Sequence, residues 1–149
     1  MTDLRELYRE VILDHNSRPR NFGPLANASA RVEGFNPMCG DKVAVSVLLE
    51  GQIIKDVHFE GCGCAISQAS ASLMTEATKG KSVDDARGIF HAFHQMVTTE
   101  EESCAIDEMD PLASLAGVRE FPVRVKCATL AWHALLSAID QSNETVTTE

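Results

Sequence analysis

Aromatic side chains are scarce in this chain of 149 residues: they form 5% of it, with one tryptophan, Trp132, and one tyrosine, Tyr8. So few rings leave little surface on which nucleobases could stack. Basic residues are also few, since 13 Lys and Arg stand against 22 Asp and Glu and give a net charge of −9. Such a chain repels phosphate backbones and anionic membranes. We therefore expect no nucleic-acid partner, whereas a basic protein surface would suit the charge.

Long apolar runs are absent as well. No stretch approaches the roughly 20 apolar residues that a membrane-spanning helix needs. The first residues have neither the basic region nor the apolar run of a secretion signal. We therefore expect a cytoplasmic protein with no membrane partner. In that reducing compartment an odd count of five cysteines indicates metal or redox chemistry rather than a disulfide framework.

The order of hydrophobic patterns predicts an α+β sandwich, with residues 1–149 in a single domain. The predicted elements are a helix from Leu4 to near His15, strands Ala30 to Phe35, Val43 to Leu49 and Ile53 to Phe59, and helices Ala65 to Lys79, Ser82 to about Thr98 and Pro122 to Asp140. We expect a small antiparallel three-stranded sheet packed against several helices. The acidic residues 100–110 should be irregular, and the last residues, about 143–149, disordered.

Three cysteines lie at predicted junctions between elements, where a thiolate can project without disturbing a core. Cys39 lies in the turn before the second strand, Cys64 at a helix start, and Cys127 about one turn into the last helix. With Asp41 they offer three sulfurs and one oxygen, which suits tetrahedral Zn²⁺ and, with different occupancy, iron–sulfur chemistry. A lone cysteine is usually a small buried hydrophobe, but three beside glycines or charges favour a metal site.

Local features favour thiolates at this site. Gly40, between Cys39 and Asp41, lets the backbone point both side chains to one side. The unpaired amides of a helix start favour the thiolate of Cys64. Arg124 precedes Cys127 by three residues, so its guanidinium shares a helix face with the sulfur.

The remaining cysteines and histidines are weaker candidates. Cys62 has three interpretations, which are an ordinary loop cysteine, a resolving thiol for a persulfide and a substitute ligand, and the first ranks highest. Cys104, in the acidic segment, is the weakest candidate ligand. His91 and His94 have helical spacing, but no carboxylate motif such as HExxH accompanies them, so a half-exposed helix face is the simpler interpretation.

Three motifs carry a family resemblance: Asn36-Pro-x-Cys-Gly-Asp41, Gly61-x-Gly-Cys-x-Ile-Ser67 and Phe121-Pro-x-Arg-x-Lys-Cys-Ala128. With them the chain resembles the U-type (SufU-type) proteins of the SUF iron–sulfur assembly system, in the IscU-like superfamily that includes NifU N-terminal domains. The similarity covers nearly the whole chain. Scaffold-type members have a histidine immediately before the third cysteine, where this chain has Lys126, and the longer stretch before Pro122 also favours the U-type branch.

The resemblance implies a zinc-bound sulfurtransferase that receives persulfide sulfur from a SufS-type cysteine desulfurase and passes it to a downstream SUF scaffold. It implies Cys39, Asp41, Cys64 and Cys127 as the zinc ligands and Arg124 as the functional arginine beside them. Cys39 is the expected sulfur acceptor, because the turn that carries it is the most mobile of the three segments that carry a thiol. The alternative is a scaffold that assembles a transient [2Fe–2S] cluster on the same cysteines, with iron instead of zinc. A zinc-stabilised adaptor without transfer chemistry is a third interpretation.

Overall fold

A computed structural model of the chain describes residues 4–98, 106–107, 109–140 and 146–147. The elements, in chain order, are α1 (Leu4–Ser17), β1 (Ala30–Asn36), β2 (Asp41–Glu50), β3 (Ile53–Cys62), α2 (Ala65–Thr78), α3 (Val83–Thr98), a 3₁₀ segment (Pro111–Glu120), α4 (Pro122–Ile139) and β4 (Val146–Thr147). They confirm the α+β class predicted from the sequence. None of the described helices combines the length and the apolar character that crossing a membrane requires.

The sheet has the strand order β3-β2-β1-β4. The central strand β2 pairs antiparallel with β1 and β3, which confirms the predicted three-stranded antiparallel sheet. The two-residue strand β4 joins β1 in parallel, with Val146 beside Gly34 and Thr147 beside Phe35. The sequence predicts disorder from about residue 143, and within that stretch the structure describes residues 146 and 147, which form β4. The other residues of that prediction, 143–145 and 148–149, lie outside the described residues.

One face of the sheet packs against helices, and β1 shows why. Its residues alternate between buried and exposed along the whole strand, the period expected when one face is covered. Helix α4 covers β1 and β2, while α2 packs against α4, α1 and β3. This arrangement places the start of α2 and the first turns of α4 beside the same end of the sheet.

Small residues on α2 allow it to approach α4 closely. The hydroxyl of Ser70 donates to the carbonyl oxygen of Ala128, and Trp132 Nε1 donates to Ser70 Oγ at 3.2 Å. The ring of Trp132 is fully buried and stacks on Phe93 with 4.7 Å between ring centroids. Trp132 is therefore a core residue that also satisfies its polar atom.

The 3₁₀ segment was not predicted from the sequence. Asp110 caps it, since Asp110 Oδ1 accepts a hydrogen bond from Leu112 N at 3.0 Å. Its larger buried apolar residues Leu112, Leu115 and Val118 recur at every third position, which places them on one side of a 3₁₀ helix with three residues per turn. That period falls between the strand and α-helix patterns, so neither pattern detects it.

Buried polar groups tie the connector after α1 to α2. His15 is 6% exposed, and its Nδ1 lies 2.7 Å from Ser72 Oγ. The same hydroxyl oxygen accepts a hydrogen bond from Arg20 N at 2.8 Å. Burial, and next the charge of Arg20, lower the pKa of His15 below its ordinary value. The folded protein therefore favours a neutral imidazole at this position.

His15 should make stability depend on pH in a defined window. Because its folded pKa is lowered, the unfolded chain takes up the proton first as the pH falls below about 6.5. The stabilisation by neutral His15 is fully present above that pH and is lost as the pH falls through the folded pKa. We expect His15→Gln to lower the free energy of unfolding by about 1 kcal/mol near pH 8 and by less near pH 5.5.

Urea unfolding of both proteins across this range measures the difference. Asp14 does not interfere, because Arg20 and Arg18 lower its pKa to about 2, well below the window. A difference between the two proteins that stays constant with pH would contradict the proposed neutral state of His15.

Candidate metal centre

The four side chains predicted as ligands come from three junctions of the fold. Cys39 lies in the turn between β1 and β2, and Asp41 is the first residue of β2. Cys64 is the N-cap of α2, and Cys127 lies in the second turn of α4. Donors from both sheet and helices therefore meet at one end of the sheet.

The donor atoms of Cys39, Asp41 and Cys127 all lie within 4.8 Å of one another. Cys64 is their neighbour, because its backbone N–H donates to Asp41 Oδ1 at 2.9 Å. The sulfur of Cys64 is not part of that tight group of three, and it accepts a hydrogen bond from Ser67 N at 3.4 Å. The structure thus brings three of the four predicted donors together, and the start of α2 with Cys64 lies beside them.

The turn that carries Cys39 requires a glycine. Gly40 has a φ of +71°, in the left-handed region that L side chains rarely adopt. Space is not the reason for glycine there, since no atom lies within 4 Å of the position a Cβ would occupy. The backbone conformation alone directs Cys39 and Asp41 toward the same site.

Asn36 and Asp41 form the buried floor of the site, and both are fully buried. Asn36 Nδ2 donates to Asp41 Oδ2 at 3.3 Å and to Cys127 Sγ at 3.5 Å. Asn36 Oδ1 accepts a hydrogen bond from Met38 N at 3.2 Å, next to Cys39 in the turn. One amide side chain therefore touches three parts of the site.

The chemistry of these donors fits a divalent cation. Burial raises the pKa of the Cys127 thiol, and the neighbouring Asp41, Cys39 and Cys64 raise it further. Acidic groups that resist ionisation together are stabilised as anions by a cation among them. Three sulfurs and one carboxylate oxygen suit Zn²⁺, whereas Mg²⁺ and Ca²⁺ prefer oxygen ligands only.

The three thiols differ in their access to solvent. Cys39 is exposed, Cys64 is half-buried, and Cys127 is 1% exposed. All three line one open cavity of about 560 Å³, whose wall also includes Phe121 and Arg124. A molecule that approaches through this cavity meets Cys39 most directly.

Arg124 lies in the wall of the cavity. Its guanidinium carbon is 5.0 Å from the centroid of the Phe121 ring. Within the described residues it makes no hydrogen bond to a sulfur. The positive charge is thus held beside the thiols without being bound to one of them.

The other candidates lie apart from this cluster. Cys62 ends β3, is exposed, pairs in register with Lys42, and lines a different cavity that also includes Phe35. His91 and His94 are exposed on α3 and join no cluster of three or more potential ligands among the described residues. Cys104 lies outside the described residues.

The sequence interpretation missed two residues that shape the site. Asn36 was noted only as part of a motif, although an Asn at a strand end before Pro is a common start of a turn. Gly63 was also missed, and a Cβ at this position would collide with Asp41 Oδ1. Gly63 therefore lets the backbone before α2 approach the carboxylate closely.

Comparison with known proteins identifies the family of this chain. The family of NifU-like N-terminal domains matches residues 7–148. The zinc-dependent sulfurtransferase SufU of Bacillus subtilis is 47% identical over 133 residues, which cover 89% of each chain. The iron–sulfur cluster assembly scaffold protein IscU of Streptococcus pyogenes is 42% identical over 142 residues, which cover 95% of this chain and 88% of that protein.

A solved structure from Fervidobacterium islandicum, described as a candidate iron–sulfur cluster assembly scaffold for the SUF system, superposes with a TM-score of 0.79 at 36% identity. The match covers 87% of this chain and 94% of that one. The chain therefore belongs to the family of NifU-like N-terminal domains. Within that family it is similar both to a protein named as a sulfurtransferase and to proteins named as scaffolds.

Gly63→Ala tests whether Asp41 is a metal ligand, because the backbone at Gly63 lies close to the Asp41 carboxylate. The added Cβ displaces the Asp41 carboxylate, so we expect zinc affinity to fall by at least about tenfold. Competition with a zinc chelator measures the affinity. Gly88→Ala in α3 is the matched control, because a Cβ there meets no atom within 4 Å. Equal zinc affinity in the two variants would contradict the role given to Asp41.

Proposed function

We propose that this protein is a zinc-dependent sulfurtransferase of iron–sulfur cluster assembly, which accepts persulfide sulfur from a cysteine desulfurase. The observation that carries the proposal is the unequal exposure of neighbouring thiols. Cys39 is exposed, while the donor atoms of buried Asp41 and Cys127 lie within 4.8 Å of its sulfur. One thiol can therefore meet a partner while the other donors stay in place. The similarity to a protein named as a zinc-dependent sulfurtransferase supports this choice.

Cys39, Asp41, Cys64 and Cys127 would hold the zinc ion. When bound, Zn²⁺ keeps the thiols deprotonated at neutral pH. Asp41 is the rigid member of the set, because hydrogen bonds from Cys64 N and Asn36 Nδ2 fix its two oxygens. Cys39 is the adaptable member, because it lies in a turn and its side chain is exposed.

The transfer step is an exchange between sulfurs. The thiolate of Cys39 attacks the outer sulfur of the partner's persulfide, and a new S–S bond forms on Cys39. The S–S bond of the partner breaks, and the partner's cysteine leaves as a thiolate. The proton on the outer sulfur travels with that sulfur. One S–S bond replaces another, so the step needs no oxidant or reductant.

Arg124 would stabilise the anionic sulfur during this exchange. Its guanidinium lies in the cavity wall that Cys39 shares, over the face of the Phe121 ring. A cation–π contact at an exposed site is worth about 0.5–1 kcal/mol. The guanidinium can therefore leave the ring to meet a charged sulfur at low cost.

The rim of the cavity suits a protein partner. Phe121 and Val123 line the cavity and are 50% and 45% exposed, and Met38, next to Cys39 in the turn, is 63% exposed. Exposed apolar side chains grouped at one site are typical of surfaces that bind a protein. We assign this rim to docking of a SufS-type desulfurase in the cytoplasm, with a downstream SUF scaffold as the next sulfur acceptor.

A scaffold function is the second candidate, because relatives of this chain are named as iron–sulfur scaffolds. In that case a [2Fe–2S] cluster would be the cargo assembled on the same cysteines. Lys126 counts against it, since lysine is a poor cluster ligand where scaffold-type members have histidine. Anaerobically purified protein separates the two: bound zinc without colour supports transfer, and a brown protein with acid-labile sulfide supports the scaffold.

Mass spectrometry of the sulfur-loaded protein tests the proposed function. After incubation with a cysteine desulfurase and cysteine, we expect the peptide with Cys39 to gain one sulfur atom. Cys39→Ser should abolish this gain, and Arg124→Ala should slow it while zinc stays bound. Cys62→Ser is the control and should behave like the unaltered protein. A persulfide on Cys127 or Cys62, with Cys39 unmodified at early times, would contradict the assignment.

A further inference from the structure

The three thiols of the site differ in the N–H groups that donate to them. Cys127 Sγ accepts a hydrogen bond from Asn36 Nδ2 at 3.5 Å, and Cys64 Sγ accepts one from Ser67 N at 3.4 Å. Cys39 Sγ accepts none from any backbone or amide N–H within the described residues. An N–H donor draws electron density from a sulfur and fixes its orientation, so it makes the sulfur a better-held ligand and a weaker nucleophile.

We propose that Asn36 is a positioning residue that selects the sulfur acceptor, by holding Cys127 through its amide and leaving Cys39 as the reactive thiol. This proposal rests on the sulfurtransferase function proposed above. Together with exposure, the hydrogen bond from Asn36 would explain why Cys39 reacts rather than Cys127.

The orientation of the Asn36 amide follows from its partners. Met38 N can only donate, so the amide oxygen of Asn36 must face it, at 3.2 Å. The amide nitrogen must then face the carboxylate of Asp41 and the sulfur of Cys127, at 3.3 and 3.5 Å. The reversed amide would place oxygen against carboxylate and nitrogen against N–H. The amide nitrogen of Asn36 is therefore the atom that donates to Cys127 Sγ.

Asn36 is also held firmly. It is the last residue of β1 and pairs in register with Asp41 at the start of β2, and its side chain is fully buried. The strand ladder thus fixes the backbone, and the three hydrogen bonds fix the side chain. A residue held in this way can hold Cys127 in turn, although 91 positions separate the two in sequence.

Two variants of Asn36 separate the loss of hydrogen-bond donation from the changes in charge and space that each substitution brings. Asn36→Asp keeps the shape but removes the donor and adds a charge. Asn36→Ala keeps the charge but removes the donor and opens space. Both variants lose the amide N–H groups that donate to Cys127 Sγ and Asp41 Oδ2, and they share no other change. Asn21→Ala is the matched control, because Asn21 Nδ2 also donates to a side chain, Thr75 Oγ1 at 3.0 Å, away from the site.

The measurement is the rate at which iodoacetamide modifies each cysteine, read by peptide mass spectrometry in zinc-loaded and in metal-free protein. We expect the rate of Cys127 relative to Cys39 to rise by at least about tenfold in both Asn36 variants and to stay unchanged in Asn21→Ala. A rise in one Asn36 variant only, in neither, or equally in the control would overturn the proposal. The readout needs no sulfur donor, so it remains decisive if the protein fails to accept sulfur.

Discussion

The buried carboxylate of Asp41 joins the separate parts of the chain that form the metal centre. One oxygen accepts a hydrogen bond from Cys64 N at 2.9 Å, and the other accepts one from Asn36 Nδ2 at 3.3 Å. A fully buried carboxylate is costly unless donors or cations surround it. These two donors connect the start of β2 to the start of α2 and to the end of β1. Without these two hydrogen bonds, Asp41 would not hold the elements that carry the thiols together at the site.

This arrangement divides the site into a fixed part and an accessible part. Asp41 and Cys127 lie buried against Asn36, while Cys39 projects into solvent from a turn with a left-handed glycine. A metal held mainly by the fixed donors leaves one thiol able to meet a partner. The apolar rim beside it, and the guanidinium of Arg124 on the Phe121 ring, are suited to receive a protein that carries an anionic sulfur.

The sequence was most informative where chemistry and periodicity agreed. Strands and α-helices followed from their periods of two and 3.6 residues, and the four donors stood out because each lies in a turn or near the start of an element. The 3₁₀ segment was missed because Leu112, Leu115 and Val118 recur at every third position. Strand β4 was missed because two residues make no pattern. The role of Asn36 depends on a contact with Cys127 that only the folded chain creates.

X-ray absorption at the zinc edge, on zinc-loaded protein and on its Cys62→Ser variant, tests the ligand set most directly. We predict three sulfurs at about 2.3 Å and one lighter atom at about 2.0–2.2 Å around zinc, with identical spectra for the two proteins. Four sulfurs in the unaltered protein that become three in the Cys62→Ser variant would contradict the account. They would show that Cys62, rather than Asp41, completes the site.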